Sequence, residues 1–382
     1  MKQPALHGWH FCACSNAGCH GNYIHILDMK EIVLSGIRAT GQLHLGNYYG
    51  ALSKFVKMQN DPESKYINYF FIADLHALTT APEPDKLHEN VKSILAEYLA
   101  AGLDPEKSTI FVQSDVPEIP EMYLLLNMHV GIGELMRTAS FKDKARKMLG
   151  LTGDSDENIE KEIIGANTNK RVNAGLLTYP TLMAVDILIQ KATKVPVGKD
   201  QEQHLELTRR FARRFNSFYG VDYFPEPANF DFGGEPVKVP GLDGSGKMGK
   251  SEGNCIYLLD DEKTLRKKVM RAVTDEGPKV PNSPMCEAVQ NLFTLLKIVS
   301  TPDKVQYFTD AYNNCSIRYG DLKKEIAEDI LKVTTPIRER IIDIQNDDAY
   351  LARVVKAGAE KARENASKTL RDVREIMGIR PF

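Results

Sequence analysis

Residues Gly244–Ser251 read GSGKMGKS and match the phosphate-loop pattern G-x-x-x-x-G-K-[ST] at every specified position. The first chemistry to consider is therefore the cradling of nucleoside polyphosphate oxygens. A loop of that kind needs a buried strand before it and a helix opening at its Lys-Ser end, so that free N–H groups face the phosphates. The flanking residues oppose both. Upstream, EPVKVPG carries two prolines and makes a poor central strand. Downstream, EGN propagates a helix badly, and the apolar run IYLLDD follows too closely to leave room for a crossover helix. What remains is a flexible glycine loop whose Lys247 and Lys250 can close over a polyphosphate as mobile cations. The plain alternative is a solvated basic loop.

A second phosphate-type element lies at residues 35–47, SGIRATGQLHLGN, where the chain leaves its first apolar strand. A helix starting there offers unpaired N–H groups and positive potential. His44 can donate to a phosphate oxygen, and Gly46 permits close approach of an adenine ring. Asp186 is the third chemical feature: an acid inside the apolar run LMAVDIL, where a charge is costly without a partner. Read without other information it is either a recognition group or a structural acid. Cys12, Cys14, Cys19 and His20 form C-x-C-x4-C-H, which fits none of the usual zinc spacings. No metal site is expected there; residues 1–30 read as a disordered extension, or as sequence upstream of a start at Met29.

The elements that must position these groups alternate from Glu31 onward. EIVLSGI, YINYFFIA and STIFVQS read as buried strands, with helical spacing in YYGALSKFVKMQ and over 85–101. Such alternation predicts an α/β fold, a Rossmann-like doubly wound parallel sheet that binds ligands beyond the C-terminal ends of its strands. Residues 149–173 are polar and read as a surface insertion. PTLMAVDILIQ and DQEQHLELTRRFARRFNSF read as helices around KVPVG. After Asp260 strand signals stop, and helical patterns near 261–273, 285–299, 302–313, 320–345 and 348–377 predict an all-α part. The expected division is an extension over 1–30, a catalytic domain over 31–259 and a helical domain over 260–382, its last helix returning to the catalytic domain.

The chain has 382 residues, 42% hydrophobic and 26% charged, with a formal net charge of −2. That length supports more than one domain, and the charge gives no general attraction to polyanions, so any nucleic-acid contact must be local. No apolar run reaches membrane-spanning length. The six cysteines do not form a disulfide framework, and a cytoplasmic location is expected.

Taken together, HLGN and KMGKS resemble the HIGH and KMSKS signatures of class I aminoacyl-tRNA synthetases. Five ordered blocks narrow the likeness: SGIRATGQLHLGNYYGAL, IADLHALT, AGLLTYPTLMAVDIL, VPVGKDQEQHLELTRRFARRFN and KMGKSEGN. From about residue 31 onward they are similar to the tryptophanyl family within that class. The resemblance implies ATP-dependent activation of L-tryptophan to tryptophanyl-AMP, transfer to tRNA(Trp), Mg²⁺ accompanying ATP, a homodimer, and an all-α anticodon-binding domain. It implies catalytic roles for Lys247, Lys250 and His44. ATP would contact Arg38, His44, Gly46, Asn47, Gly198, Asp200, Lys247, Met248, Lys250 and Ser251. Asp186 would accept the indole N–H, Met183, Val195 and Val197 would form the apolar slot, Leu34 takes a position beneath the ring, and Gly36 belongs to the same tryptophan site. Tyr179 and Gln201 would hold the α-amino group, and His76 matches a pocket histidine.

Four positions depart from that family pattern. Gly249 replaces the usual serine of KMSKS, Lys199 a common glutamate, Arg38 a common glutamine and Leu34 a common aromatic residue. These bear on rate and affinity more than on reaction type. A tyrosyl-type synthetase, a small-molecule nucleotidylyltransferase and a non-catalytic RNA- or partner-binding relative are the competing readings. The indole-type LMAVD run, the long helical part and the retained lysines argue against them in turn.

Overall fold

Five parallel strands form one sheet in the order β3-β2-β1-β4-β5: β1 Glu31–Arg38, β2 Tyr66–Ala73, β3 Thr109–Val112, β4 Lys194–Val195 and β5 Ala228–Asn229. The reversal of direction beside β1 makes this a Rossmann-like arrangement, with its crevice between the ends of β1 and β4. The computed structural model describes residues 31–151, 172–198, 201–230 and 237–382. The cysteine-rich stretch, most of the 149–173 insertion, Lys199 and Asp200 lie outside them.

Because strand side chains alternate, β1–β3 send Val33, Phe70, Ile72 and Ile110 to one core and Leu34, Tyr69, Phe71 and Phe111 to the other. The helices that cover these faces, in chain order, are α1 Leu45–Asn47, α2 Ser53–Gln59, α3 Asp74–Ala77, α4 Pro84–Ala100, α5 Glu118–Asn127, α6 Ile132–Met136, α7 Ala139–Leu149, α8 Ala174–Ile189 and α9 Glu202–Tyr219. A π-type turn over Tyr48–Leu52 joins α1 to α2. The helical periodicity read from 48–59 is thus realised as two helix geometries. The sequence expectation named no helix between residues 115 and 148, where α5, α6 and α7 lie. α6 has only five residues and α5 carries Pro120, so neither displays a long period.

The strand-free part contains α10 Glu262–Met270, α11 Glu287–Val299, α12 Pro302–Asn313, α13 Tyr319–Gln345 and α14 Asp348–Ile376. These agree with the expected helical segments to within a few residues at each end. α13 packs on α4, where Arg340 Nε donates to Ala100 O at 2.8 Å. α14 returns to the sheet and lies directly on β3. A Cβ on Gly358 would come within 1.7 Å of the Ile110 carbonyl oxygen, so only glycine allows this approach. Gln190 Nε2 donates to Ala362 O, and Arg363 pairs with Glu118, beside the same contact. Residues 31–382 therefore make one continuous packed unit. No helix among the described residues is long and apolar enough to cross a membrane.

Candidate active site

Where β1 ends, the chain turns through residues 39–44 and enters α1. His44 caps this helix: its Nδ1 accepts the Gly46 N–H at 3.0 Å, and Asn47 Oδ1 accepts the His44 N–H at 3.0 Å. A Cβ on Gly46 would fall 2.8 Å from the imidazole, so glycine here seats the histidine ring. Burial, with Lys250 and Lys247 adding to it, lowers the His44 pKa to about 4. The ring is neutral near pH 7, and because Nδ1 accepts, its proton sits on Nε2 as a donor.

The lysine loop meets this element directly. Leu45 N donates to Ile256 O at 2.9 Å and Leu258 N to Leu43 O at 3.0 Å, so residues 43–45 and 256–258 run antiparallel, with His44 opposite Tyr257. The apolar run after Ser251 therefore clamps the two glycine loops at their base. No helix opens at Lys250: a single 3₁₀ turn over Lys250–Glu252 ends at Gly253, whose φ is +66°. The fixed phosphate-loop geometry is thus lacking, as the flanking sequence implied. The loop's shape comes from Asn254, which accepts from Gly249 N and donates to Asp243, Ser245 and Lys247 O.

A cavity of about 510 Å³ lies between the two loops, lined by His44, Gly46, Asn47, Lys238, Lys247 and Met248. Lys250 leaves this group: its Nζ donates to Gly41 O at 2.8 Å, and burial lowers its pKa against the opposing pull of Glu97 and Cys255. Engagement of a phosphate by Lys250 requires release from that carbonyl.

A second cavity, of about 400 Å³, opens beyond the strand ends. Its walls bring together Leu34, Gly36, Arg38, His76, Tyr179, Met183, Asp186, Val195, Val197, Gly198 and Gln201. These come from β1, α3, α8, β4 and the turn between β4 and α9, and the sequence singles out all of them. Asp186 is 3% exposed. Its Oδ1 accepts the Gln113 amide at 2.7 Å and its Oδ2 lies 3.0 Å from His76 Nε2. Burial pushes the carboxyl up in pKa, and His76 and Gln113 oppose this. Two of its lone-pair directions remain for a further donor.

Arg38 lines this cavity and not the one between the loops. Its Nη2 reaches His76 O and Thr79 Oγ1, both at 3.4 Å. Tyr179 gives its hydroxyl to a network with Ser140 at 2.5 Å and His204 at 2.8 Å. Ser251 follows Lys250 in the 3₁₀ turn.

Four neighbours escaped sequence reasoning. Gln113 fixes Asp186 from the end of β3. Lys144 enters from α7, its Nζ 3.8 Å from the Tyr179 ring centre; burial, helped by Arg38, lowers its pKa to about 8. Phe71 forms the cavity floor, and its ring fills the space that a Cβ on Gly36 would need, 2.5 Å away. Asn254 organises the lysine loop. Only Asn254 had a local signal, its place in SEGN; the others meet the site through contacts distant in sequence.

Two cavities at the ends of a parallel sheet, one apolar with a buried acid and one lined by lysines and a helix cap, suit an enzyme that joins a small acid to a nucleotide. The profile of tRNA synthetases class I (W and Y) matches residues 29–335, and the chain belongs to that family. Within it, the chain is similar to the tryptophan–tRNA ligase of Porphyromonas gingivalis, with 61% identity over 350 residues, 92% of this chain and 100% of that protein. The tryptophan–tRNA ligase of Fusobacterium nucleatum is 39% identical over 352 residues, 91% of this chain and 97% of that one. A crystal structure of tryptophanyl-tRNA synthetase from Campylobacter jejuni, complexed with ADP and tryptophan, matches with a TM-score of 0.75 at 32% identity, covering 91% of this chain and 99% of that one.

Proposed function

We propose that this chain activates L-tryptophan with ATP to tryptophanyl-AMP, releasing pyrophosphate, and transfers the aminoacyl group to the terminal adenosine of tRNA(Trp). The observation that carries this reading is Asp186: a buried acid, oriented by His76 and Gln113, in the wall of an apolar cavity that also holds Arg38 and Lys144. Indole N–H is a donor only, and an anchored acceptor rejects phenylalanine because binding it leaves the acceptor unpaired. Met183, Val195 and Val197 suit the flat apolar ring. The names of the similar proteins favour tryptophan over tyrosine.

In this reading the tryptophan carboxylate attacks the α-phosphorus in line, so the nucleophile comes from the substrate. The protein aligns the reactants and neutralises charge growing on the pyrophosphate. Lys247 faces the cavity between the loops, and Lys250 would join it once the loop closes, so both act more strongly in the transition state than before it. His44 would donate from Nε2. Arg38 and Lys144 would meet the substrate's carboxylate end, and Tyr179 and Gln201 its amino group. Gly198 and Asp200 would serve the ribose, and Ser251 would add a hydroxyl at the phosphates.

Mg²⁺ would arrive with ATP and offset phosphate charge. Among the described residues no group of three His, Cys, Asp or Glu side chains is arranged to hold a metal ion, and the cavity between the loops sets Lys238 and Lys247 against a single carboxylate, Glu252. That donor set fits an ion carried by phosphate oxygens and water. A homodimer is supported by exposed Leu124 on α5, Met128 just after it and Ile132 on α6, with Phe218 beside His129. The cytoplasm is the compartment in which charged tRNA is used. α10–α14 would supply the anticodon-reading surface. The test is pyrophosphate–ATP exchange with each of the twenty amino acids. Exchange with tryptophan is expected; exchange with tyrosine and not tryptophan would overturn the assignment.

A further inference from the structure

Glu97 takes no part in the chemistry above, yet it is the most deeply placed acid near it. It lies on α4, 0% exposed, among Leu95, Ala96, Tyr98 and Leu99. A carboxylate so placed is retained only if its oxygens are satisfied. Both are: Oε2 accepts the Leu43 N–H at 2.5 Å and Oε1 accepts the Ser93 hydroxyl at 2.8 Å. Leu43 immediately precedes His44. Two residues earlier, Gly41 O holds Lys250 Nζ at 2.8 Å. Asn90, also on α4, donates to Ala39 O at 3.3 Å. α4 thus grips both ends of the 39–43 turn by its main chain. The grip extends to the helical part, because Gln345 Nε2 at the end of α13 donates to Ser93 Oγ at 3.3 Å.

We propose that Glu97 is a positioning residue for adenylate formation: its carboxylate draws in the Leu43 N–H, and so fixes the start of the helix that His44 caps. This rests on the synthetase reading given above. It also carries a pH dependence. Burial pushes the Glu97 carboxyl up to about 7, opposed by Ser93, the Leu43 N–H and Lys250. The charged or titratable groups on the elements around it are Lys250 from the lysine loop, Tyr98 next along α4, His44 after Leu43, and Arg340 of α13 on Ala100 O. Below pH 7 the carboxylate gains a proton. Its charge-assisted bond to Leu43 becomes an ordinary one, and the turn that leads into His44 is held less tightly. Glu97→Gln keeps the shape and removes the charge: its carbonyl oxygen still accepts from Leu43, while its Nε2 donates to Ser93 Oγ, which becomes the acceptor, as a protonated acid would require, so the variant mimics the protonated state at every pH.

The experiment is tryptophan-dependent pyrophosphate–ATP exchange by the full chain and by Glu97→Gln from pH 6 to 9, varying ATP and tryptophan separately. The wild-type kcat/KM for ATP should fall about three- to tenfold on the acid side, with an inflection near pH 7. Glu97→Gln should stay on the low plateau throughout, with KM for tryptophan unchanged. A Glu97→Gln profile that tracks the wild type overturns the role of Glu97 alone. Absence of exchange in the wild type overturns the synthetase reading and this proposal together.

Thermal unfolding gives a second readout independent of turnover. The folded carboxyl holds its proton up to about pH 7, whereas an unfolded one releases it near 4.5, so the folded state binds more protons in between. That contribution is fully present below 4.5 and is lost as pH rises through 7. The melting temperature of Glu97→Gln relative to wild type should therefore rise from pH 5 to 8; a constant difference overturns the pH dependence.

Discussion

At the scale of single residues, the site is a set of polar groups whose orientation is fixed by second partners. Asp186 is held by Gln113 and His76, and His44 by the backbone it caps. Asp186→Ala should lower kcat/KM for tryptophan by about a hundredfold or more, because the indole donor loses its acceptor. Gln113→Ala, which only loosens the acid, should cost about tenfold. Exchange kinetics at varied tryptophan measure both, and near-normal exchange by Asp186→Ala would contradict its recognition role. Asp186 was legible in the sequence because an acid in an apolar run demands an explanation. Gln113 was not, since a glutamine ending a strand has no such cost until the fold buries it. Glu97 was hidden for a different reason: in the window read as an amphipathic helix it passes as one more solvent-facing charge. Only the packing of the 39–43 turn on α4 shows otherwise.

At the scale of elements, the three long strands and the C-terminal helices were readable from period and length, since each satisfies its own local pattern. β4 and β5 were not, having two residues each and taking their place solely from pairing with β1 and with each other. The antiparallel clamp of 43–45 against 256–258 was equally invisible, because it joins segments more than two hundred residues apart in sequence. The contact of α14 with β3 belongs here too. Gly358→Ala should destabilise the protein by about 3 kcal/mol, because backbone on one side and helix on the other leave no room for a methyl. Gly320→Ala, at a helical position with nothing within 4 Å, should be neutral or slightly stabilising. Thermal denaturation of the pair tests the contact; equal melting temperatures would refute it.

At the scale of the whole molecule, Leu124 on α5, Met128 just after it, Ile132 on α6 and Phe218 near the end of α9 are exposed apolar side chains of the kind that a subunit contact covers. In the proposed homodimer this surface would be the subunit contact: in sedimentation velocity the wild type should run as a dimer and Leu124→Glu combined with Met128→Glu as a monomer, whereas a monomeric wild type would overturn the pairing and an unchanged dimer would overturn this surface. The order in which the molecule is assembled follows from another feature, the seat of α14 on β3. β3 is an outer strand of the sheet, and its apolar TIFV segment is covered by a helix made roughly 250 residues later. At ribosomal rates that interval is about ten to fifty seconds. For that time the growing chain carries an unfinished sheet border of the kind that recruits other strands. The contact that this glycine permits thus marks when the nascent protein stops being sticky, as well as adding to its stability once complete.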